Sequence, residues 1–165
     1  MIETLVSLWL TVMLTFARGA PEERLATVAR AVVEATSDPQ EQALLLTVSL
    51  YETGFGRSGI PFGISSVNRT GERTLLQDAQ ASLRILRRSV VQCGRSLPFL
   101  LGRYHHGNGC RPDNYSIREA ETVRRMMSRY NDGALRYNEE NRVTVAPLAR
   151  PVPVYAANTR RTRRR

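Results

Sequence analysis

DPQEQALLLTVSLYETGF, residues 38–55, is the stretch that decides the fold. An Asp that can cap a helix, a Pro at the first helical position and an acid in the first turn stand together at residues 38–41. The apolar run that follows predicts a helix over Gln40–Thr53, which stops at Gly54. Residues 54–73 hold five Gly and one Pro, so they predict an irregular loop or a short hairpin.

The sequence on both sides of this stretch predicts four more helices from amphipathic spacing, capping boxes and terminal glycines. They are Glu22–Thr36, a helix from the Thr74 capping box to Cys93-Gly94, one from Ser96 and Pro98 to Gly107, and one from the Ser116–Glu119 capping box to about Asn131–Gly133. No internal repeat is visible. The expected fold is therefore mainly α, with one long loop after the helix Gln40–Thr53 and an extended tail beyond Asn141.

Composition and charge limit the function classes. The chain has 165 residues, which suits one domain with a tail, and 42% of them are apolar, which excludes a wholly disordered chain. All 24 basic residues are Arg, and seven of them lie in residues 142–165, where there is no acid. Residues 1–141 carry 17 Arg against 15 acids, so the basic character belongs to the tail. It is not evidence that the globular part, residues 21–141, binds nucleic acid.

The amino-terminal segment, residues 1–20, is uncharged and mostly apolar over Thr4–Ala17. That is short for a membrane span, which needs about 20 residues. Three interpretations stay open: a signal peptide cut near residues 17–19, a helix that docks on the domain or on a partner, and a membrane anchor. The start lacks the positive charge of a typical signal peptide. Trp9 is expected to be a packing residue rather than a platform for a sugar.

Glu52, at the end of the predicted helix Gln40–Thr53, is the candidate catalytic acid. Val48 and Leu45 lie on the turns below it, and a Gly-rich loop follows it. A carboxyl group at the mouth of a cleft with an apolar floor tends to keep its proton, because desolvation disfavours the charged form. It could then protonate a leaving oxygen at neutral pH. On this pattern alone, a solvated Glu at a helix end is the simpler interpretation.

Tyr51-Glu52-Thr53-Gly54-Phe55 resembles the catalytic motif of the soluble lytic transglycosylases and goose-type lysozymes, in which a helix ends in Glu-Ser and the Glu is the sole acid. Three further segments follow in the family's order. They are Gly63-Ile64-Ser65-Ser66, similar to the family's Gly-Leu-Met-Gln loop; Leu76–Leu83, similar to its next helix; and Leu101–Gly107, similar to its Ala-Tyr-Asn-Ala-Gly segment. The matched stretch, roughly residues 39–131, implies a lysozyme-like helical domain.

The resemblance implies a reaction as well as a fold. The substrate would be the β-1,4 bond between N-acetylmuramic acid and N-acetylglucosamine in peptidoglycan. Glu52 would protonate the leaving oxygen, the 2-acetamido group of the sugar would stabilise the cationic centre, and Glu52 would then take the proton of the C6 hydroxyl. The product is a 1,6-anhydro sugar, and no cofactor is needed. Hydrolysis needs a second acid, for which Glu72 and Asp78 are the nearest candidates, although Asp78 is more simply a first-turn acid.

The resemblance also implies which residues bind the glycan. They are Phe55 in the motif, Ile64, Ser65 and Ser66 in the loop, and Tyr104 and His105 in the later helix. Tyr104 would hydrogen-bond near Glu52 or the acetamido group. Pro61, Ser66 and His105 stand where the family has Ser, Gln and Asn, so part of the sugar-binding set is altered. These departures motivate one alternative, a degenerate lysozyme-like module with a structural or binding role. A hydrolysing muramidase is a second alternative.

Cys93 and Cys110 suit neither a zinc site nor a redox pair by their spacing. A disulfide is favoured over two buried thiols. It would close a loop of 16 intervening residues, could stabilise the fold by roughly 3 kcal/mol, and would imply an oxidising compartment. Adjacent His105 and His106 point in different directions from one helix, so no metal site is expected.

The tail, residues 142–165, contains prolines and Arg and predicts an extended arm. Arg160–Arg165 could bind nucleic acid, anionic cell-wall polymers, lipid headgroups or an acidic partner. Residues 1–20 and the tail together could dock on a virion or envelope protein. The expected setting is the periplasm or cell wall for a secreted bacterial enzyme, or a phage virion or lysis function. A nucleic-acid binder is less favoured, because the globular part is nearly neutral.

Overall fold

The computed structural model describes residues 1–17, 19–63, 73–107 and 109–140, the last four of these for their backbone only. The predicted glycan contacts at 64–66, the candidate acid Glu72 and the tail at 142–165 lie outside the described residues. Within these ranges there are six helices and no strand, so the prediction of a mainly α fold is confirmed. The helices are α1 Ile2–Leu14, α2 Glu22–Ala35, α3 Pro39–Thr53, α4 Leu75–Cys93, α5 Leu97–His106 and α6 Asn114–Glu140.

Helix α3 is the central helix, and local signals fix both of its ends. Asp38 accepts hydrogen bonds from the backbone N–H groups of Gln40 and Glu41, as expected for an N-cap followed by Pro39. Every residue from 42 to 49 is buried, because α2, α4 and α6 all pack against this helix. At the other end, Gly54 adopts the left-handed conformation that closes many helices. The last turn of α3 is thereby held at the edge of a rigid core.

Helix α1 packs into the core. Its Trp9 is fully buried, stacks on Tyr130 with 4.5 Å between the ring centroids, and donates a 2.6 Å hydrogen bond to Gln42. The prediction that Trp9 is a packing residue is confirmed. Helix α1 thus shares one core with the helices that follow. No helix among the described residues is long and apolar enough to cross a membrane.

The predicted start of α6 is wrong by one turn. The helix begins at Asn114, and Asp113 supplies the cap: its Oδ1 accepts the N–H of Ser116 at 2.7 Å, while Ser116 Oγ accepts the N–H of Asp113 at 2.9 Å. Ser116 therefore closes a capping box instead of opening one. Glu119, which the sequence pattern placed in that box, lies inside the helix and points into the protein.

The predicted end of α6 near Asn131–Gly133 is also wrong, because the helix continues to Glu140. Gly133 does not end the helix; it allows another helix to pack closely against α6. A Cβ atom at this position would lie 2.6 Å from Cδ1 of Leu8, so a residue without a side chain allows α1 to approach α6 closely.

The predicted disulfide between Cys93 and Cys110 is confirmed, with Cα atoms 5.3 Å apart. It joins the end of α4 to the segment that follows α5. Helix α5, which carries Tyr104 and His105, is therefore tied to its neighbour by a covalent bond as well as by packing.

Candidate functional site

Glu52 lies in the last turn of α3, with 29% of its side chain exposed. Its Oε1 is 3.0 Å from Nδ1 of His105 on α5. On its other side the chain returns at Gly63, which has a φ of +62°, and a Cβ atom there would lie 2.7 Å from Oε2 of Glu52. The carboxyl group is therefore held between an imidazole ring and a backbone segment that only glycine can bring so close.

The second nitrogen of His105 contacts another carboxyl group. Its Nε2 is 2.5 Å from Oε2 of Glu119 on α6, and the Glu119 side chain is completely buried. The His105 ring itself is 11% exposed. Glu52, His105 and Glu119 thus form a line from the surface into the core, which we call the carboxylate–histidine array.

The array has a defined electrostatic character. Burial lowers the pKa of His105, but its hydrogen bonds to Glu119 and Glu52 outweigh burial and raise it to about 9. Burial raises the pKa of Glu119, and the hydrogen bond from His105 opposes that change. At neutral pH the imidazole therefore carries a proton between two carboxyl groups.

Two tyrosine rings enclose His105 by edge-to-face contacts. The ring centroids of Tyr104 and Tyr115 lie 5.4 Å and 4.9 Å from that of His105, with interplanar angles of 85° in both cases. Burial raises the pKa of each phenol to about 12, so both hydroxyls keep their protons at physiological pH. Tyr115 uses its proton to hydrogen-bond the carbonyl of Tyr51, next to Glu52 in the chain, at 3.1 Å.

Tyr104 supports the segment that touches Glu52. Its hydroxyl donates to the carbonyl oxygen of Phe62 at 3.2 Å and lies 2.8 Å from Oγ of Ser82. Phe62 directly precedes Gly63, so this bond anchors the glycine against the Glu52 carboxyl group. The hydroxyl of Tyr104 contacts Phe62 and Ser82, and the predicted contact with the acetamido group stays a prediction.

The structure brings together three of the predicted site residues: Glu52, Tyr104 and His105. It corrects the prediction for Phe55, whose side chain is fully buried and cannot line a glycan groove. A φ of +58° turns the chain after Gly54 so that this ring enters the core. The predicted sugar contact of His105 also needs correction, because both ring nitrogens face carboxyl groups.

The predicted reason for a proton on Glu52 is corrected as well. Val48 and Leu45 do lie buried on the turns below it, but they belong to the core. The group that faces the Glu52 carboxyl is an imidazole, so the site is polar where an apolar floor was expected.

Sequence reasoning missed Glu119 and Tyr115. A signal for Glu119 was present, because it falls on the same stripe of α6 as the buried residues Ser116, Val123 and Met126. An acid on a buried stripe requires a partner. The capping-box pattern gave Glu119 a local explanation and hid this requirement.

The chain matches no protein-family model, no curated protein and no solved structure. Within the described ranges, no group of three or more His, Cys, Asp or Glu side chains is arranged to hold a metal ion. The array and the motif resemblance are therefore the features that indicate a function.

Proposed function

We propose that this protein is a lysozyme-like lytic transglycosylase that cleaves peptidoglycan, with Glu52 as general acid and then general base. One observation carries the proposal. Of the two carboxyl groups that contact His105, Glu52 is partly exposed and Glu119 is wholly buried. A glycan can therefore reach one acid of the array and not the other.

Within the described part of the chain this site has one accessible acid, and that favours transglycosylation over hydrolysis. Two-carboxylate hydrolysis places the second acid across the scissile bond, about 5–9.5 Å from the first. Glu119 lies behind His105 in the core, and Asp78 is only 1% exposed, so neither is available for that role. A substrate that carries its own nucleophile, the 2-acetamido group, needs a single protein acid.

The steps balance on Glu52 alone. Glu52 gives a proton to the glycosidic oxygen as the C1–O bond breaks, and the acetamido oxygen bonds to C1. The C6 oxygen then attacks C1, the acetamido oxygen leaves, and the C6 hydroxyl proton passes to Glu52. The 1,6-anhydro product forms without water, and the acid is restored. Residues 64–66, which follow Gly63 in the chain, remain our proposed glycan contacts.

The same proposal predicts where the enzyme acts. Peptidoglycan lies outside the bacterial cytoplasm, so the enzyme would act in the periplasm or cell wall, or from a phage virion or during lysis. A disulfide such as Cys93–Cys110 suits an oxidising compartment. The Arg-rich end, Arg160–Arg165, is proposed to hold the enzyme on an anionic envelope polymer or an acidic assembly partner.

Product analysis tests this function. Purified peptidoglycan sacculi are incubated with wild type, Glu52→Gln and Glu41→Gln, and the soluble muropeptides are identified by mass spectrometry. Glu41 is the matched control, because it lies three turns away on the same stripe of α3 and its carboxyl group binds Arg87. Wild type and Glu41→Gln should release anhydro-muropeptides, and Glu52→Gln should lose at least about 1000-fold in rate, the scale of losing a general acid.

Two other results would replace the proposal. Reducing-end muropeptides from wild type would make the protein a hydrolysing muramidase. No release above the Glu52→Gln background would favour the degenerate module, for which the residues at 61, 66 and 105 already give a reason.

A further inference from the structure

Glu119 is an unusual residue for the middle of a helical core. Its side chain has no exposed surface, and within the described residues its Oε1 makes no hydrogen bond. A buried carboxyl group with half of its acceptors unused is costly, and a neutral side chain of similar size would pack there at lower cost. Among the side chains that the structure describes, the one polar contact of Glu119 is His105. The feature to explain is therefore why this protein keeps an acid behind the histidine.

We infer that His105 and Glu119 form a proton store for Glu52. This inference rests on the proposed function and adds the source of the catalytic proton. The proton passes from Nδ1 of His105 to Oε1 of Glu52 along their 3.0 Å contact. His105 is left neutral, with its remaining proton on Nε2, where Glu119 accepts it. Glu52 then carries the proton that the glycosidic oxygen requires.

The proton returns to His105 within one turnover. Transglycosylation returns the C6 hydroxyl proton to Glu52, and Glu52 returns it to Nδ1 of His105. No proton is gained from or lost to water, which suits a ring that is 11% exposed.

The geometry makes His105 a positioning residue that acts through Glu52. Tyr104 and Tyr115 contact its ring edge-to-face, and both ring nitrogens face carboxyl groups, so the ring has one orientation. That orientation fixes which nitrogen faces the reacting acid. The role of Glu119 is to hold the Nε2 proton, which leaves Nδ1 as the nitrogen that exchanges with Glu52.

The charges around His105 set the pH range in which the store is filled. Glu119 and Glu52 together raise the pKa of His105 to about 9 against the effect of burial. The array can deliver a proton only below that pH. Without the charge of Glu119, only burial and Glu52 act on the pKa of His105, so that pKa is lower. The imidazole then loses its proton at a lower pH. The titratable groups that face the ring are Glu52 from α3, Tyr104 from α5, and Tyr115 and Glu119 from α6, with Asp113 at the start of α6 acting on Glu119.

The pH dependence of turnover by Glu119→Gln tests the inference. The amide keeps an acceptor oxygen for Nε2 of His105 but loses the charge. We expect the alkaline limb of kcat/KM, near pH 9 in wild type, to move down by at least about one unit, which is a tenfold loss at a fixed alkaline pH. The loss of rate at pH 5.5 should be clearly smaller than the loss at alkaline pH, because at pH 5.5 the store is filled in both proteins.

Glu121→Gln is the matched control. Glu121 lies on the same helix, is exposed, and faces Arg125 across one turn. Its loss should leave the profile unchanged. A uniform fall of activity at every pH in Glu119→Gln would show that Glu119 only supports the fold, and the inference would be overturned.

A nuclear magnetic resonance titration separates this inference from the proposed function. The chain has two histidines, so the imidazole signals of His105 and His106 can be followed individually. His105 should titrate near pH 9 in wild type and at a clearly lower pH in Glu119→Gln, with His106 as an internal reference. Anhydro products from an enzyme whose His105 titrates near pH 6.5 would overturn the proton store and leave the function standing. A high His105 midpoint without any glycan release would overturn both.

Discussion

Each end of α3 carries a Glu, but the two side chains have different partners. Glu41 and Glu52 lie on one stripe of the helix, and their side chains are 22% and 29% exposed. Burial therefore does not distinguish them. Glu41 contacts the guanidinium of Arg87 through two hydrogen bonds of 2.8 Å, whereas Glu52 contacts an imidazole. Arg keeps its charge at any physiological pH, while His exchanges its proton.

This difference teaches that the partner decides what a half-exposed acid can do. At the Glu41 end, the pKa of the carboxyl group is lowered, first by the hydrogen bond from Arg87, so the pair stays fixed. At the Glu52 end, the neighbouring proton can move. One helix thus carries an ion pair with Arg87 at its start and a contact with His105 at its end.

The largest effect is expected when His105 is replaced by Leu. This change leaves Glu119 buried without its partner, and breaking a buried pair in this way costs about 3–5 kcal/mol. Urea unfolding at pH 8 measures the loss. The double variant His105→Leu, Glu119→Leu should recover part of it, because the unpartnered carboxyl group of Glu119 is then removed. A loss of unfolding free energy below about 1 kcal/mol for His105→Leu would mean that the contacts at the Glu52 end contribute no more to stability than the exposed ion pair at the Glu41 end.

The pH dependence of stability should differ in sign between the two ends. His105 has a folded-state pKa of about 9 against 6.5 unfolded, so its contribution, about 3 kcal/mol, is complete below pH 6.5 and is lost as pH rises through 9. Glu41 has a lowered pKa, so its contribution is present above pH 4.5 and is lost as pH falls through the folded-state value. Unfolding free energies from pH 3 to 10 should lose the alkaline decline in the double variant His105→Leu, Glu119→Leu and weaken the acid decline in Glu41→Gln. An unchanged alkaline decline in the double variant would remove the contrast.

The sequence predicts the positions of the helix ends, because residues close in the chain determine them. Asp38, Pro39 and Gly54 define α3 within a few residues of each end, so the position of Glu52 at a helix end followed from neighbours in the chain. The same holds for the Thr74 capping box of α4. Distant contacts are different. The link between Glu119 and His105 joins α6 to α5, and no local pattern encodes it.

The errors in α6 have the same origin. Ser116 and Glu119 match a capping box in sequence, but Asp113 competes for the cap and wins, which leaves Glu119 free to point inward. Gly133 looks like a helix end, but its role is to let Leu8 approach. In both cases a tertiary contact overrides a correct local propensity, and in the first it creates the site.

A smaller effect on stability, with a clear effect on activity, is expected for Gly63→Ala. Its positive φ costs a side chain about 1–2 kcal/mol, and the new Cβ would meet Oε2 of Glu52 at 2.7 Å. The carboxyl group must then move, and a shift of about 1 Å can cost about 100-fold in rate. Gly19→Ala is the control, because its φ is +78° and nothing lies within 4 Å of the added atom. If both variants lose only stability, Gly63 does not place Glu52.

The smallest effect should come from Arg87→Leu at the other end of the helix. Arg87 is 58% exposed, and pairs of this kind are worth about 0–1 kcal/mol because water and salt screen them. Glu41 keeps the hydrogen bond from Thr36 and enough exposure to remain solvated. We therefore expect a loss of at most about 1 kcal/mol in urea unfolding, reduced further in high salt, and no change in the pH profile of turnover. A shift of that profile would mean that the charge at the start of α3 reaches Glu52, and the two ends would then act as one electrostatic unit.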